Sequence, residues 1–482
     1  MRNKSMHSYK AGGFFSRLFK IKFLAGLWTG KLLLIISRLS GRGGTTLPGR
    51  IALKIEPKLT SYLTSLLPSG TLLITGTNGK TTTSALISGI LKEAGYRCIN
   101  NQSGSNLAWG VASSLVAGAS LSGHLREDIA VMEVDEGALP GITGSMKPRG
   151  ITITNIFRDQ LDRYGEVDHV LQKIRTGLDL QPQDGFEVIN ADDPSLTGIQ
   201  AGQHKRRWLY GLELDLPKDT FENTGRDMKA CPHCKKELQY EKLFYAHLGH
   251  YSCHSCGYKR PKPDIRLMET RAEQDGTTLL KIELPDEVAE FKFPLPGTYN
   301  LYNLLAAVAT AKALYIPTPL VASALEKSVP SFGRMEFFEA DGKTIIMALI
   351  KNPVGANEVL RTILYENDDV NLLVAINDKI ADGTDVSWLW DVDFEQLGLE
   401  KDSFSSLYAS GLRAWDMAVR FKYAGFDPGQ VTVEENTESA VKSALEVTPP
   451  DSKLFILPSY TAMLAIRRTL NRMGLGKPYW EE

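Results

Sequence analysis

The chain has 482 residues, 43% of them hydrophobic, with five cysteines and a formal net charge of −1. That length supports two or three domains with sizeable cores, and near-neutral charge removes any general reason to expect nucleic-acid binding. Four of the cysteines fall in two C-x-x-C pairs, which reads as metal ligation plus one spare thiol rather than a disulfide framework, and implies a reducing, cytoplasmic setting.

Residues 1–43 are the one asymmetric segment. No acidic residue precedes Glu56, whereas Arg2, Lys4, Lys10, Arg17, Lys20, Lys22, Lys31, Arg38 and Arg42 are all basic. Phe14, Phe15, Leu18, Phe19, Phe23 and Leu24 recur between them at helical spacing. No apolar run approaches the roughly 18 residues that would span a bilayer. Two readings stay open: a helix packed on the protein, or an interfacial helix suited to an anionic membrane surface.

Next, Leu72-Leu73-Ile74 leads into Thr75-Gly76-Thr77-Asn78-Gly79-Lys80-Thr81-Thr82-Thr83, a pattern that predicts a strand, a phosphate-cradling turn and a helix start. Glycines let backbone N–H groups approach phosphate oxygens, Lys80 can reach the β and γ phosphates, and the Thr81 hydroxyl suits a Mg²⁺ position. The spacing G-x-x-x-x-G-K-[ST] would place glycine at position 74, where Ile74 stands, so this is a variant loop.

Beyond the loop, strands and helices alternate. Residues 129–132, 150–155 and 187–190 read as buried strands, the first ending in Glu133-Val134-Asp135-Glu136 and the third in Asn190-Ala191-Asp192-Asp193. A parallel sheet covered by helices is the expected α/β fold, with acids at strand ends where ligands bind. After a phosphate loop, Glu133 is the candidate Mg²⁺ ligand.

Cys231-Pro232-His233-Cys234 and Cys253-His254-Ser255-Cys256, eighteen residues apart, have the spacing of a Cys₄ zinc ribbon. Four thiolates leave no open coordination position, so a structural metal is expected, with 238–240 and 242–245 as short strands. Downstream, Tyr299-Asn300-Leu301-Tyr302-Asn303 precedes an alanine-rich helix over 304–313. The two asparagines either cap that helix or present amides to a nucleotide base.

In their order along the chain, 76–81, Glu133, Asp159-Gln160-Leu161-Asp162-Arg163-Tyr164, 190–193, 299–303 and Gly333-Arg334 resemble the motifs of the Mur ligases, the ATP-dependent amide-forming enzymes of peptidoglycan synthesis. The ribbon, together with Asn377-Asp378-Lys379-Ile380-Ala381-Asp382-Gly383-Thr384-Asp385 and Ser387-Trp388, is similar to the branch that forms the synthetase subunit of lipid II isoglutaminyl synthases.

The resemblance implies three parts: residues 1–43; a central ATP-binding domain over 44–332 with the ribbon at about 226–262; and a Rossmann-like C-terminal domain over 333–482. It places Gly76, Thr77, Asn78, Gly79, Lys80, Thr81 and Thr82 on ATP, Thr81 and Glu133 on Mg²⁺, Asn303 on the adenine, and Arg334 and Lys351 across the cleft. Gln160 departs from the histidine that many Mur ligases carry, and their carbamylated lysine has no well-spaced counterpart, Lys173 being the nearest.

The implied reaction is amidation of the D-glutamate α-carboxylate of lipid II through an acyl phosphate; an amino-acid-adding ligase is the alternative. Four cysteines go to zinc and Cys98 lies in no glycine elbow, so this chain shows no glutaminase nucleophile. The resemblance names a GatD-like class I glutaminase subunit as the nitrogen source and gives Asp385 the role of completing that partner's Cys-His pair.

Overall fold

The computed structural model describes residues 17–39, 45–101, 105–157, 167–199, 206–215, 228–329, 335–364 and 370–475. Two sheets organise it. The first has nine strands: β1 (Thr71–Thr75), β2 (Cys98–Asn100), β3 (Ile129–Glu133), β4 (Gly150–Ile153), β5 (Phe186–Asn190) and β6 (Arg206–Leu212), then, past the hairpin β7 (Gln239–Tyr245) and β8 (Leu248–Ser252), β9 (Ile265–Ala272), β10 (Thr278–Glu283) and β11 (Val288–Phe293). Their order is β11-β10-β9-β6-β5-β4-β1-β3-β2. All neighbours run parallel except β9-β10-β11, which form an antiparallel edge.

Every residue of β1, β3, β4 and β5 is buried, as expected of parallel strands covered on both faces. Alternation along β1 sends Leu72 and Ile74 to one face, against the helices Lys80–Glu93 and Thr298–Ala313. Leu73 points to the other, where Phe23, Leu27 and Leu34 of the helix Arg17–Leu39 join Val111 and Leu115 of the helix Ala108–Gly118. The helix Arg17–Leu39 therefore packs along one side of the domain, and among the described residues its opposite side stays exposed. None of the described helices is long and apolar enough to cross a membrane.

The hairpin β7–β8 interrupts the parallel pair β6–β9. Residues 238–240 and 242–245, expected as two short strands, give the single seven-residue strand β7, which pairs with β8 before the second cysteine pair. Asp192 anchors the insertion. Its carboxylate accepts from Leu212 N–H (2.9 Å), Arg260 Nε (2.6 Å) and Tyr302 OH (2.8 Å). Burial pushes this carboxyl up, and the Arg260 guanidinium opposes that rise. Asp193 caps the short helix Pro194–Thr197 and accepts from Ile156 N–H. Both strand-end acids are thus structural.

The second sheet comprises β12 (Glu336–Ala340), β13 (Lys343–Met347), β14 (Val370–Ala375), β15 (Phe404–Ser410), β16 (Val431–Glu434) and β17 (Lys453–Pro458), ordered β12-β13-β17-β14-β15-β16. Only β12 is antiparallel to its neighbour. The return of β17 between β13 and β14 puts the loop after β14, residues 376–386, at a topological switch point, the usual place for function in a doubly wound sheet.

Removing Asp192 strands a buried guanidinium and a phenol, so Asp192→Ala is expected to lower unfolding stability by roughly 3–5 kcal/mol, read from urea denaturation.

Candidate functional site

The loop from Gly76 to Gly79 turns back between β1 and the helix starting at Lys80, with Gly76 at φ +124° and Gly79 at φ +86°. Neither position tolerates a side chain: a Cβ on Gly76 would lie 2.2 Å from Thr154 Oγ1, and one on Gly79 would lie 2.0 Å from Asn303 Oδ1. β4 fixes the loop from below. Thr77 N–H donates to Asn155 O (2.8 Å), Asn78 N–H to Asn155 Oδ1 (2.9 Å), and Thr154 Oγ1 to Asn78 O (2.7 Å).

Lys80 is buried, donating to the carbonyls of Gly76 and Thr77 and pairing with Glu136 Oε1 at 3.1 Å. Burial pushes the Glu136 carboxyl up; Lys80 pulls it back, Asp135 adds to the rise, and Lys351, from the second sheet's domain, also pulls it down. Two lysines from different domains thus face one carboxylate. Beside them, Thr81 Oγ1 donates to Glu133 Oε2 at 2.8 Å. Glu133 is held in turn by Asn101, which bonds both its backbone N–H (2.8 Å) and its carbonyl (2.7 Å). A hydroxyl and a carboxylate converging at the loop's end form an all-oxygen donor pair that suits Mg²⁺.

The loop opens into a narrow interdomain cavity of about 40 Å³. Asn78, Gly79, Thr82, Asn303 and Tyr245 line one side, and Met335, Leu349, Gly355 and Glu358 the other. Asn303 accepts from Thr83 Oγ1 (3.3 Å) and donates to Asn300 Oδ1 (3.3 Å). The helix begins at Thr298 with Gly297 as its cap, so neither asparagine is an N-cap; the backbone turn at Gly297 (φ +93°) starts it six residues earlier than the alanine run suggested. Across the cleft, Asn352 Nδ2 donates to Asn78 Oδ1 at 3.0 Å.

The Sγ atoms of Cys231, Cys234, Cys253 and Cys256 all lie within 4.8 Å of one another, with Cys231–Cys256 at 3.6 Å and Cys234–Cys253 at 3.5 Å. These separations approach the roughly 3.8 Å edge of a tetrahedron with 2.3 Å zinc–sulfur bonds. Each pair sits on a matching knuckle, closed by Lys235 N–H to Cys231 O (2.9 Å) and Gly257 N–H to Cys253 O (2.9 Å), with Lys235 and Gly257 both at positive φ. The donor set fits a structural tetrahedral metal. Around the knuckles the buried core is only Leu238, Tyr251, Cys231 and Cys253, while Phe244, Tyr245 and Leu248 at the far end of the hairpin join the core of the main sheet.

In the second domain, Asp385 occupies the loop after β14. Ser387 N–H donates to its Oδ1 (2.8 Å), and the Ser387 backbone and hydroxyl hold its carboxyl below the usual range. Asp382 shapes this loop by accepting from Thr461 N–H and Oγ1, each at 2.6 Å, and Asp378 pairs with Arg413 at 2.7 Å. Trp390 is exposed and meets Tyr423 edge-on at 5.5 Å, while Trp388 packs partly into the core.

Residues 349–463 match the family described as MurT ligase C-terminal, and residues 74–239 match the Mur ligase middle domain. The lipid II isoglutaminyl synthase (glutamine-hydrolyzing) subunit MurT of Streptococcus pneumoniae is 35% identical over 90% of this chain and 94% of its own length. The chain belongs to the MurT family of Mur ligases. Its fold is similar to that of a pseudomurein peptide ligase type C from Methanothermus fervidus (TM-score 0.63, 23% identity, 84% of this chain and 79% of that one). A MurF ligase from Thermotoga maritima, solved in complex with ADP, superposes with TM-score 0.60 at 14% identity, covering 87% of this chain and 84% of that one.

In this MurT-family chain the structure sets Lys80, Thr81 and Glu133 at the end of the loop and Asn303 on the interdomain cavity, brings the charge of Lys351 to bear on Glu136, and keeps Asp385 on a separate loop. Arg334, Gly333 and the segment 159–164 lie outside the described residues. Two residues of the site, Glu136 and Tyr245, were given no role by reading motifs, and Asn352 stood out only as part of the segment Lys351-Asn352-Pro353. Glu136 follows the strand end that drew notice to Glu133. Asn352 and Tyr245 come from distant segments, Tyr245 standing edge-on to Phe157 at 5.1 Å within hydrogen-bond reach of Asn78 Nδ2 (3.4 Å). A separate cleft of about 510 Å³ is lined by Leu107, Asp135, Gly137, His169 and Lys173, which puts Lys173 on a cavity wall.

Gly79→Ala is expected to add about 1–3 kcal/mol of backbone strain and displace Asn303, weakening binding of a fluorescent ATP analogue in direct titration. Stripping the metal with a chelator should loosen β7–β8, withdraw Tyr245 and lower the same affinity, with new proteolytic cleavage inside 228–262 as the structural readout.

Proposed function

We propose that this chain is the synthetase subunit that amidates the α-carboxylate of D-glutamate in the lipid II stem peptide, using ATP and ammonia from a glutaminase-type partner. The observation that carries this reading is the union, in one chain, of a Mur-type phosphate loop with a MurT-type C-terminal domain across the cleft. The active-site roles are assigned residue by residue. Backbone N–H groups of 76–81 cradle the phosphates, Lys80 and Lys351 offset charge on the transferring phosphoryl oxygens, and Asn303 orients the base, with Arg334 expected from the start of the second domain. Thr81 and Glu133 would hold Mg²⁺, which supplies Lewis-acid neutralisation of phosphate charge when bound. The cysteine cluster is assigned to zinc.

The substrate carboxylate attacks the γ-phosphorus, ADP leaves, and the acyl phosphate formed on the peptide is attacked by ammonia, which expels phosphate. Ammonia must arrive unprotonated, and nothing in the chain generates it. Four of the five thiols converge on the metal site, and burial pushes the fifth, Cys98 on the edge strand β2, up to about 11, so it stays protonated near neutral pH. The partner is inferred to be a GatD-like glutaminase. Asp385, accessible and with its carboxyl held below the usual range, would orient that partner's histidine. Both ATP and glutamine are cytoplasmic substrates, which places the reaction in the cytoplasm.

Copurification with the partner, followed by amidation assays on lipid II, tests the whole reading. Lys80→Ala is expected to abolish turnover with either nitrogen source. Asp385→Asn should abolish glutamine-dependent amidation and spare reaction with added ammonium; loss of both would refute the role in trans. Because its carboxyl lies below the usual range, Asp385 is expected to stay ionised as pH falls until that depressed pKa is reached, so the acid limb of the glutamine-dependent profile should follow other groups. Incorporation of an amino acid, with ammonia inert, would favour the amino-acid-adding alternative.

A further inference from the structure

The helix Arg17–Leu39 has two apolar sides, and the fold uses only one. Phe23, Leu27 and Leu34 are buried against the nine-stranded sheet's helical layer. On the opposite side Leu18, Ile21, Trp28, Leu32, Ile35 and Leu39 are each more than half exposed, and Ala25 is exposed between them. These seven positions follow one another at intervals of three and four, an unbroken outward stripe along a helix of 23 residues.

Cationic groups border the stripe. Lys20, Lys22 and Arg38 are exposed beside it, Lys31 is half-buried, and no acidic residue occurs before Glu56. The three-four spacing would also suit a coiled-coil seam with a second copy. Such a pairing would set Lys22, Lys31 and Arg38, at the positions flanking the seam, against groups of the same charge with no carboxylate in the segment to relieve them. An anionic lipid surface meets both features at once, taking the apolar stripe below its headgroups and the ammonium groups among them.

We infer that the outward face of the helix Arg17–Leu39 lies in the plane of an anionic membrane surface and seats the enzyme on the bilayer. The helix cannot span, because its other face belongs to the protein core. Elsewhere Ser105 Oγ donates to Thr45 O (3.1 Å), Leu47 and Trp109 are exposed apolar side chains, and Leu107, also exposed, lines the cleft of Asp135, His169 and Lys173. Arg50 covers the Trp109 ring at 5.0 Å, adding a further cation there. Any link to substrate delivery rests on the proposed action on lipid II, whereas attachment to lipid does not.

The test is sedimentation of the full chain with vesicles of phosphatidylcholine, with and without phosphatidylglycerol, in the absence of ATP and peptide. Strong pelleting is expected only with the anionic lipid, weakened by salt. Leu32→Glu, Ile35→Glu and the charge reversal Lys20→Glu/Lys22→Glu should each lower partitioning by about tenfold or more. All of these side chains face outward, so the unfolding midpoint should match the parent chain. No binding to anionic vesicles, or binding that all three variants leave unchanged, would overturn the inference. So would a concentration-dependent dimer, seen by analytical ultracentrifugation without lipid and dispersed by Leu32→Glu, which would give the face to a second copy. Since neither ATP nor lipid II is present, this result stands apart from the amidation assay.

Discussion

A buried ammonium needs a counter-charge, and at the interdomain cleft that requirement links two domains. Lys80 is withdrawn from water with Glu136 as its partner, in surroundings where an isolated ion would cost several kcal/mol. The charge of Lys351, from the second domain, also acts on this carboxylate. When phosphates occupy the loop, Lys80 gains anionic oxygens that compete with Glu136, and the carboxylate is left nearer Lys351. On the proposed function this acid would couple nucleotide binding to domain position, and Asn78 and Asn352 make a neutral contact across the same cleft.

The metal ribbon is tied into the same machinery more closely than an insertion need be. Its hairpin leans on Asp192, which also holds Tyr302 on the helix that carries Asn303. Its strand β7 ends with Tyr245 on the wall of the interdomain cavity. A module too small to bury a core of its own therefore fixes a side chain of the active cleft, and the metal's contribution to folding becomes a contribution to site geometry.

Much of this was legible in the sequence because its signals are local. The phosphate loop needs glycine at two adjacent turns, and the cysteine knuckles need their ligands two residues apart; both constraints are written within a few residues. The parallel strands, buried on both faces, announce themselves as short apolar runs ending in acids. What was hidden depends on convergence across long separations: Glu136 with Lys351, Asn78 with Asn352, and Tyr245 with Phe157. No periodicity reports such pairs. Asn300 and Asn303 show the opposite failure, a local signal misjudged because a left-handed glycine started the helix before its alanines began. Asp192 and Asp193 show that an acid at a strand end is as readily a bracket for neighbouring backbone as a ligand.

The small size of the interdomain cavity has a kinetic meaning. The space of about 40 Å³ between the phosphate loop and Met335, Leu349 and Glu358 is narrow, so on the proposed function a nucleotide would enter by parting these walls. Association would then depend on how often the cleft gapes rather than on how often a nucleotide arrives. At high nucleotide concentration the observed binding rate should level off at the opening rate, and any partner that holds the second domain away from the first would raise that ceiling without touching a single nucleotide contact.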